Sequence, residues 1–222
     1  MLFQDRHDAG QQLADALTPF RGQDCVVLAL PRGGIPVAAE VATALDVPLD
    51  LMLVGTVAAP RQPELTIGAV VDGSPPTIVR DDEMISITGI REKQFKKLCA
   101  DALSQLERRR QLYLARRQPE RLTGRTVILV DDGVASGATM RAALQAARQR
   151  RPGLLVMAVP VAPPGTMENF HGKADRIVCL QMPAPFRNVG SYYENFERVS
   201  DAEVSSLLEA RTPAPQHAMH LR

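Results

Sequence analysis

Tryptophan is absent from these 222 residues, aromatics of all kinds make up only 4%, and neither sign of charge dominates, with 26 Lys and Arg against 25 Asp and Glu for a formal net charge of +1. So neutral a chain lacks the long-range field that would recruit nucleic acid or acidic lipid, and any phosphate it binds must be held locally. Cysteine is also scarce. Cys25, Cys99 and Cys179 lie far apart with no CxxC or Cys/His spacing, which speaks against a disulfide scaffold or zinc site and suits reduced thiols acting as buried small hydrophobes. His7, His171, His217 and His220 show no metal spacing and receive no role. The longest apolar runs, Val26 to Pro31 and Leu154 to Pro164, are far too short to span a bilayer. The opening stretch MLFQDRHDAGQQLADAL carries acids and no continuous apolar core, so it does not read as a signal peptide. The expectation is a soluble, cytoplasmic protein without a membrane partner.

Hydrophobic residues at 45% and charged residues at 23% give the balance of a globular chain. One core can serve this length, since cores grow to about 250 residues before chains split. Residues 1–210 therefore read as one domain, and the polar, proline-containing tail 211–222 reads as disordered.

Helical spacing marks residues 8–18, 36–45 and 139–150, and short apolar runs mark strands at Cys25–Leu30, Leu49–Val57, Val127–Val130, Leu154–Val159 and Arg176–Leu180. Strands buried on both faces, alternating with helices, predict an α/β fold: a doubly wound, mainly parallel sheet flanked by helices. Two prolines in Ala59-Pro60-Arg61-Gln62-Pro63-Glu64 predict an irregular loop, and Ile67–Val71 with Thr77–Arg80 predict a hairpin around Asp72-Gly73-Ser74. From Arg91 to Arg117 the chain has no Gly or Pro, and Phe95, Leu98, Ala102, Leu106 and Tyr113 form one stripe of a long amphipathic helix. Its arginines, Arg108-Arg109-Arg110 and Arg116-Arg117, read as a solvated face rather than an RNA site, and its stripe could equally be buried in a homodimer.

The chemistry concentrates in the thirteen residues from Val127 to Thr139. Four apolar residues, Val127-Ile128-Leu129-Val130, build a strand, and Asp131 and Asp132 sit at its carboxyl end, where open α/β sheets bind their ligands. Gly133, Val134, Ala135, Ser136, Gly137, Ala138 and Thr139 then run into a helix whose free N–H groups and dipole can hold a phosphate. The glycines permit close backbone approach, and the Ser136 and Thr139 hydroxyls add donors. A cradle beside paired carboxylates suits a sugar phosphate, the acids accepting hydrogen bonds from ribose hydroxyls. The spacing contains neither Gly-Lys-Ser/Thr nor GxGxxG.

This combination of strand, paired acids, small loop and Ser-Gly-Ala-Thr end resembles the phosphoribosyl pyrophosphate motif of type I phosphoribosyltransferases. The resemblance implies a pyrophosphate loop after the first core strand, and Pro31-Arg32-Gly33-Gly34 stands there, with glycines for unusual backbone geometry and Arg32 as a fixed charge. Within the superfamily the phrases LALPRGGIPVAAEVA, PELTIGAVVDG, VILVDDGVASGATMRAAL, VMAVPVAPP and VGSYYENFERVSDAEV resemble a bacterial group of uncharacterised phosphoribosyltransferase-like proteins over nearly the whole chain. That group implies Arg-Lys where this chain has Gly55-Thr56; losing a basic pair there would slow transfer while leaving binding intact, with Arg61 as a nearby substitute.

The resemblance further implies transfer of 5-phosphoribosyl from phosphoribosyl pyrophosphate to a small, nucleobase-like acceptor, or binding of a nucleoside monophosphate. Asp131, Asp132 and Arg32 would be the reaction's residues. Mg²⁺ would be held chiefly by the ligand, with Asp131 and Asp132 the protein groups within its reach. A small hood would contact the acceptor, and Phe186, Tyr192, Tyr193 and Phe196, clustered in an aromatic-poor chain, offer stacking surface, with Phe186 and Tyr192 the candidates. Packing of a C-terminal lid explains the same cluster. The competing readings are a non-catalytic sensor of phosphoribosyl pyrophosphate or nucleotide, a phosphohydrolase using Asp131 as nucleophile, and an RNA-binding regulator.

Overall fold

In the computed structural model, which describes residues 2–114 and 117–210, the chain opens with helix α1 (Arg6–Ala16), capped by the Asp5 carboxylate accepting from Asp8 N at 2.9 Å. Strand β1 (Cys25–Ala29) is buried throughout and leads into helix α2 (Gly34–Leu45) and strand β2 (Leu49–Leu51). Strands β3 (Val54–Ala59), β4 (Gln62–Val71) and β5 (Thr77–Arg80) follow, then helices α3 (Asp82–Thr88) and α4 (Glu92–Leu114). The second half alternates strand β6 (Thr126–Val130), helix α5 (Ala138–Gln149), strand β7 (Leu154–Val161), helix α6 (Pro164–Glu168) and strand β8 (Arg176–Gln181), and helix α7 (Asp201–Glu209) ends the described chain. The tail 211–222, read as disordered, lies outside the described residues, as do His217, His220 and Arg116.

Five strands form a parallel sheet in the order β2-β1-β6-β7-β8, and β3, β4 and β5 form a separate antiparallel sheet. Alternating residues of each parallel strand feed two cores. Val27, Ala29, Ile128, Val130, Val156 and Ala158 pack with α1, α2 and α7 on one face; Val26, Leu28, Val127, Leu129, Leu155 and Met157 pack with α5 and Phe170 on the other. Full burial of one such Leu or Val stabilises by roughly 1.5–3 kcal/mol, so strands covered on both faces read as nearly unbroken apolar runs.

Two expectations fail in the middle of the chain. Leu49–Val57 is not one strand: only Leu49–Leu51 pairs with β1, and the chain then leaves for the antiparallel sheet as β3. Thr56 is exposed there, which a strand covered on both faces does not tolerate. Nor is Pro60–Glu64 an irregular loop. Pro60 and Arg61 make a tight turn, and Pro63 sits inside β4 at the register shift between Ala58↔Thr66 and Ala59↔Gln62, a bulge where no ladder N–H is required of it.

The β4–β5 hairpin has the expected strands. The long helix is α4, with Phe95, Cys99, Leu106 and Tyr113 buried and Arg108 and Arg109 exposed, while Arg110 pairs with Asp72 at 3.4 Å. Arg117 is structural: its Nη1 and Nη2 donate to the Leu208 and Leu49 carbonyls, each at 2.9 Å. Three short helices went unread although two carry plain start signals: Asp81 caps α3 through Met84 N at 3.1 Å, and Ser200 caps α7 through Glu203 N at 3.1 Å.

Candidate functional site

β1 and β6 are neighbours in register, Ala29 opposite Val130, and Leu30 N continues the ladder to Val130 O at 2.9 Å. Their two following loops therefore leave the sheet side by side, and the contact between them is intimate. A Cβ added at Gly33 would lie 2.0 Å from Asp132 Oδ2, and one at Gly34 would lie 2.8 Å from Val130 O and 3.0 Å from Asp131 Oδ1. The glycines are needed for space rather than unusual backbone: Gly33 has φ −60 and ψ −35, ordinary right-handed geometry. This corrects the conformational reason given for Pro31-Arg32-Gly33-Gly34. The Pro31–Arg32 peptide is cis.

The paired acids are largely enclosed. Asp131 Oδ1 accepts the Asp132 N–H at 2.9 Å, and burial, together with the Asp132 charge, pushes its carboxyl well above the usual range. Burial raises Asp132 too, opposed by Arg6, whose Nε donates to Asp132 Oδ2 at 2.8 Å with only 11% and 13% of the two side chains exposed. Arg6 Nη1 also donates to Glu197 O at 2.7 Å, and its guanidinium lies 3.8 Å from the centre of the Phe196 ring. Tyr193 donates its hydroxyl to Asp132 O, and burial with the nearby carboxylates holds that phenol far above its ordinary pKa. Neither Arg6 nor the Tyr193 contact was read from the sequence, because each joins positions remote along the chain.

The loop from Gly133 to Thr139 is anchored at both ends and open at its tip. Gly133 abuts Val189 and Val161, where a Cβ would come within 2.6 and 3.0 Å, and Val134 N donates to Val161 O at 2.9 Å. Thr166 Oγ1 donates to Ala135 O at 2.8 Å. Gly137 adopts φ +77 and touches Phe170, then starts α5, while Ala135 and Ser136 are exposed. The first N–H groups of a helix have no partner within it, so Ser136 to Thr139 present donors and a positive dipole end, chemistry suited to a phosphate.

Arg32 is turned elsewhere. Its Nη1 donates at 3.0 Å to Asp201 Oδ1, at the start of α7, and the same oxygen accepts the Tyr113 hydroxyl from α4. Tyr113 above all, and then Arg32, hold the Asp201 carboxyl below its usual range; burial and Asp201 push the Tyr113 phenol to about 12. Of the aromatics, Phe186 and Tyr192 stack on each other at 5.2 Å and 25°, half-buried, whereas Tyr193 and Phe196 brace Asp132 and Arg6. Gly55 packs toward Leu106 of α4, and Thr56 faces out of the antiparallel sheet.

Among the described residues no group of three or more His, Cys, Asp or Glu could hold a metal ion, and no helix is long and apolar enough to cross a membrane. His7 Nδ1 lies 3.1 Å from Glu40. Burial raises all three thiols; Cys25 and Cys99 are the buried small hydrophobes expected, whereas Cys179 is only partly buried.

A family model described as the phosphoribosyl transferase domain matches residues 6–194. Two Mycobacterium tuberculosis proteins, from strains H37Rv and CDC 1551 / Oshkosh and provisionally named phosphoribosyl transferases, are each 43% identical over 208 residues. That alignment covers 94% of this chain and 46% of theirs, so the chain spans about half the length of the curated relatives it matches. The crystal structure of TT1426 from Thermus thermophilus is 39% identical, with a TM-score of 0.80 over 96% of this chain and 100% of that one.

Proposed function

Since this chain belongs to the phosphoribosyl transferase domain family, we propose that it binds phosphoribosyl pyrophosphate and transfers the 5-phosphoribosyl group to a small, nucleobase-like acceptor, releasing pyrophosphate. The observation that carries this reading is the meeting of the two loops, with Gly33 pressed against Asp132 Oδ2 beside the open tip at Ser136. One loop alone would be a turn. Two loops in contact around largely enclosed carboxylates bring a phosphate cradle, hydroxyl acceptors and a second glycine turn to one place.

Gly133 to Thr139 take the 5-phosphate, Asp131 and Asp132 accept from the ribose hydroxyls, and Pro31 to Gly34 receive the pyrophosphate. In the reaction the bond from C1 to the pyrophosphate oxygen breaks, a bond from C1 to an acceptor nitrogen forms, and the acceptor loses a proton. The protein's work is positioning and stabilising the leaving charge. Asp131 and Asp132 are the protein groups that would reach a Mg²⁺ borne by the ligand, which would supply neutralisation of that charge. The residues fit such an ion better than a resident one, because Asp132 is already paired with Arg6 and Mg²⁺ commonly takes one or two carboxylates with substrate phosphates and water. Arg32 reaches the pyrophosphate by leaving Asp201. Phe186 and Tyr192 offer the acceptor a stacking surface.

A second reading, a sensor that binds without turnover, is favoured by Arg32 being held by Asp201 and by Gly55-Thr56 standing where the resemblance implies a basic pair. Calorimetric titration with phosphoribosyl pyrophosphate and Mg²⁺, followed by a pyrophosphate-release screen over purine and pyrimidine bases, separates the two. Binding with release establishes transfer, binding without release establishes the sensor, and no binding sinks both.

A further inference from the structure

Two adjacent carboxylates beside the landing place of a phosphorylated anion are an electrostatic obstacle as well as a recognition element. Like charges a few ångströms apart repel, and they do so more strongly near a protein surface than in water. Among the described residues, the cation that pairs with these acids is Arg6, and it reaches Asp132 across 126 sequence positions. Its head is fixed from three sides: Nε on Asp132 Oδ2 at 2.8 Å, Nη1 on Glu197 O at 2.7 Å, and the Phe196 ring 3.8 Å beneath. A planar, always charged fork held so firmly does more than fill space.

We infer that Arg6 is a positioning residue of the phosphoribosyl site: it clamps Asp132 through Oδ2, turns Oδ1 toward the ribose hydroxyls, and cancels one of the two negative charges the ligand must approach. This rests on the proposed phosphoribosyl reading. Gly33 completes the clamp, because its missing side chain lets Oδ2 lie against the neighbouring loop. The first turn of α1 thus becomes part of the site, although α1 lies outside both loops.

The test is a double-mutant cycle read by calorimetric titration with phosphoribosyl pyrophosphate and Mg²⁺, using wild type, Arg6→Gln, Asp132→Asn and the double variant, with thermal unfolding measured on each. Arg6→Gln should weaken binding on the order of tenfold or more, the scale of a lost charge-assisted hydrogen bond. Arg6→Lys, which keeps the charge but not the planar fork, should recover only part of that loss. In the Asp132→Asn background, Arg6→Gln should change affinity by less than about twofold, since the group it acts through is gone. Equal losses in both backgrounds, or Arg6→Lys as weak as Arg6→Gln, would overturn the inference. A purely structural Arg6 predicts that additive result. Should Arg6→Gln fail to fold, the cycle is run with Arg6→Lys, whose smaller loss must likewise vanish beside Asp132→Asn. Wild type that binds no phosphoribosyl pyrophosphate overturns the functional reading itself, whereas binding with an additive cycle overturns only the role of Arg6.

Discussion

The loops that end β1 and β6 look alike in sequence, each a small-residue turn into a helix, yet they use their glycines differently. In Pro31 to Gly34 the glycines have ordinary backbone and are demanded by contact, with Gly33 against Asp132 and Gly34 against Val130 O. In Gly133 to Thr139 it is Gly137 whose left-handed φ of +77 turns the chain into α5. The first loop is thus tied to the acids and the second to the packing of Phe170. A glycine-rich loop cannot be taken as conformational licence without asking what a side chain would strike.

Substitutions can break or sharpen this contrast. The largest effect is expected from Asp131→Ala/Asp132→Ala, which should lower affinity for phosphoribosyl pyrophosphate by roughly a hundredfold or more, the scale of two lost hydrogen bonds to charged groups, read by calorimetry. Next comes Gly33→Ala: its methyl must displace Asp132, so binding should fall on the order of tenfold while overpacking costs about 1–3 kcal/mol of stability. Gly137→Ala should cost at least a similar ~1–2 kcal/mol through its positive φ and the clash of its methyl with Phe170, but should spare the acids, leaving a smaller loss of affinity. Equal binding losses for the two glycine variants would erase the distinction.

Asp131→Asn tests the acids from the side of stability. Because the folded carboxyl is raised above its unfolded value, its ionised form opposes folding at neutral pH, and that penalty is relieved as pH falls. The variant should therefore melt higher than wild type at pH 7, with the advantage shrinking toward pH ~4, the ordinary carboxylate range, in thermal scans across pH. The smallest effect is expected from Asp201→Asn. Releasing Arg32 from a half-exposed, solvent-screened ion pair should tighten pyrophosphate binding by no more than about fivefold.

The parallel sheet was legible because strands covered on both faces leave continuous apolar runs, as in Cys25–Ala29 and Thr126–Val130, and its helices keep simple periods. The antiparallel sheet was only partly so. Its outer strands β3 and β5 are partly exposed, β3 continues β2 almost without a break, and a proline in a bulge imitates a loop. At the site, short-range chemistry was visible: Asp131 to Thr139 form one anchored loop, and Pro31 to Gly34 lie against it. What joins distant positions was not, because no local pattern says that Arg6 meets Asp132, that Tyr193 reaches its carbonyl, or that Asp201 draws Arg32 away.

Those long reaches govern when the site can exist. Phe3 and Gln4 exchange backbone hydrogen bonds with residues 192 to 195, and Arg6 bonds a carbonyl 191 positions away. On a chain made from its N-terminus at about 5–20 residues per second, Asp132 emerges seconds before the segment that braces it. The sheet can be assembled while its acids remain unsupported, and closing so long a loop places this contact among the slow, high-contact-order events of folding. Competence to bind should therefore lag behind the gain of secondary structure, making the carboxylates the last part of the molecule to mature.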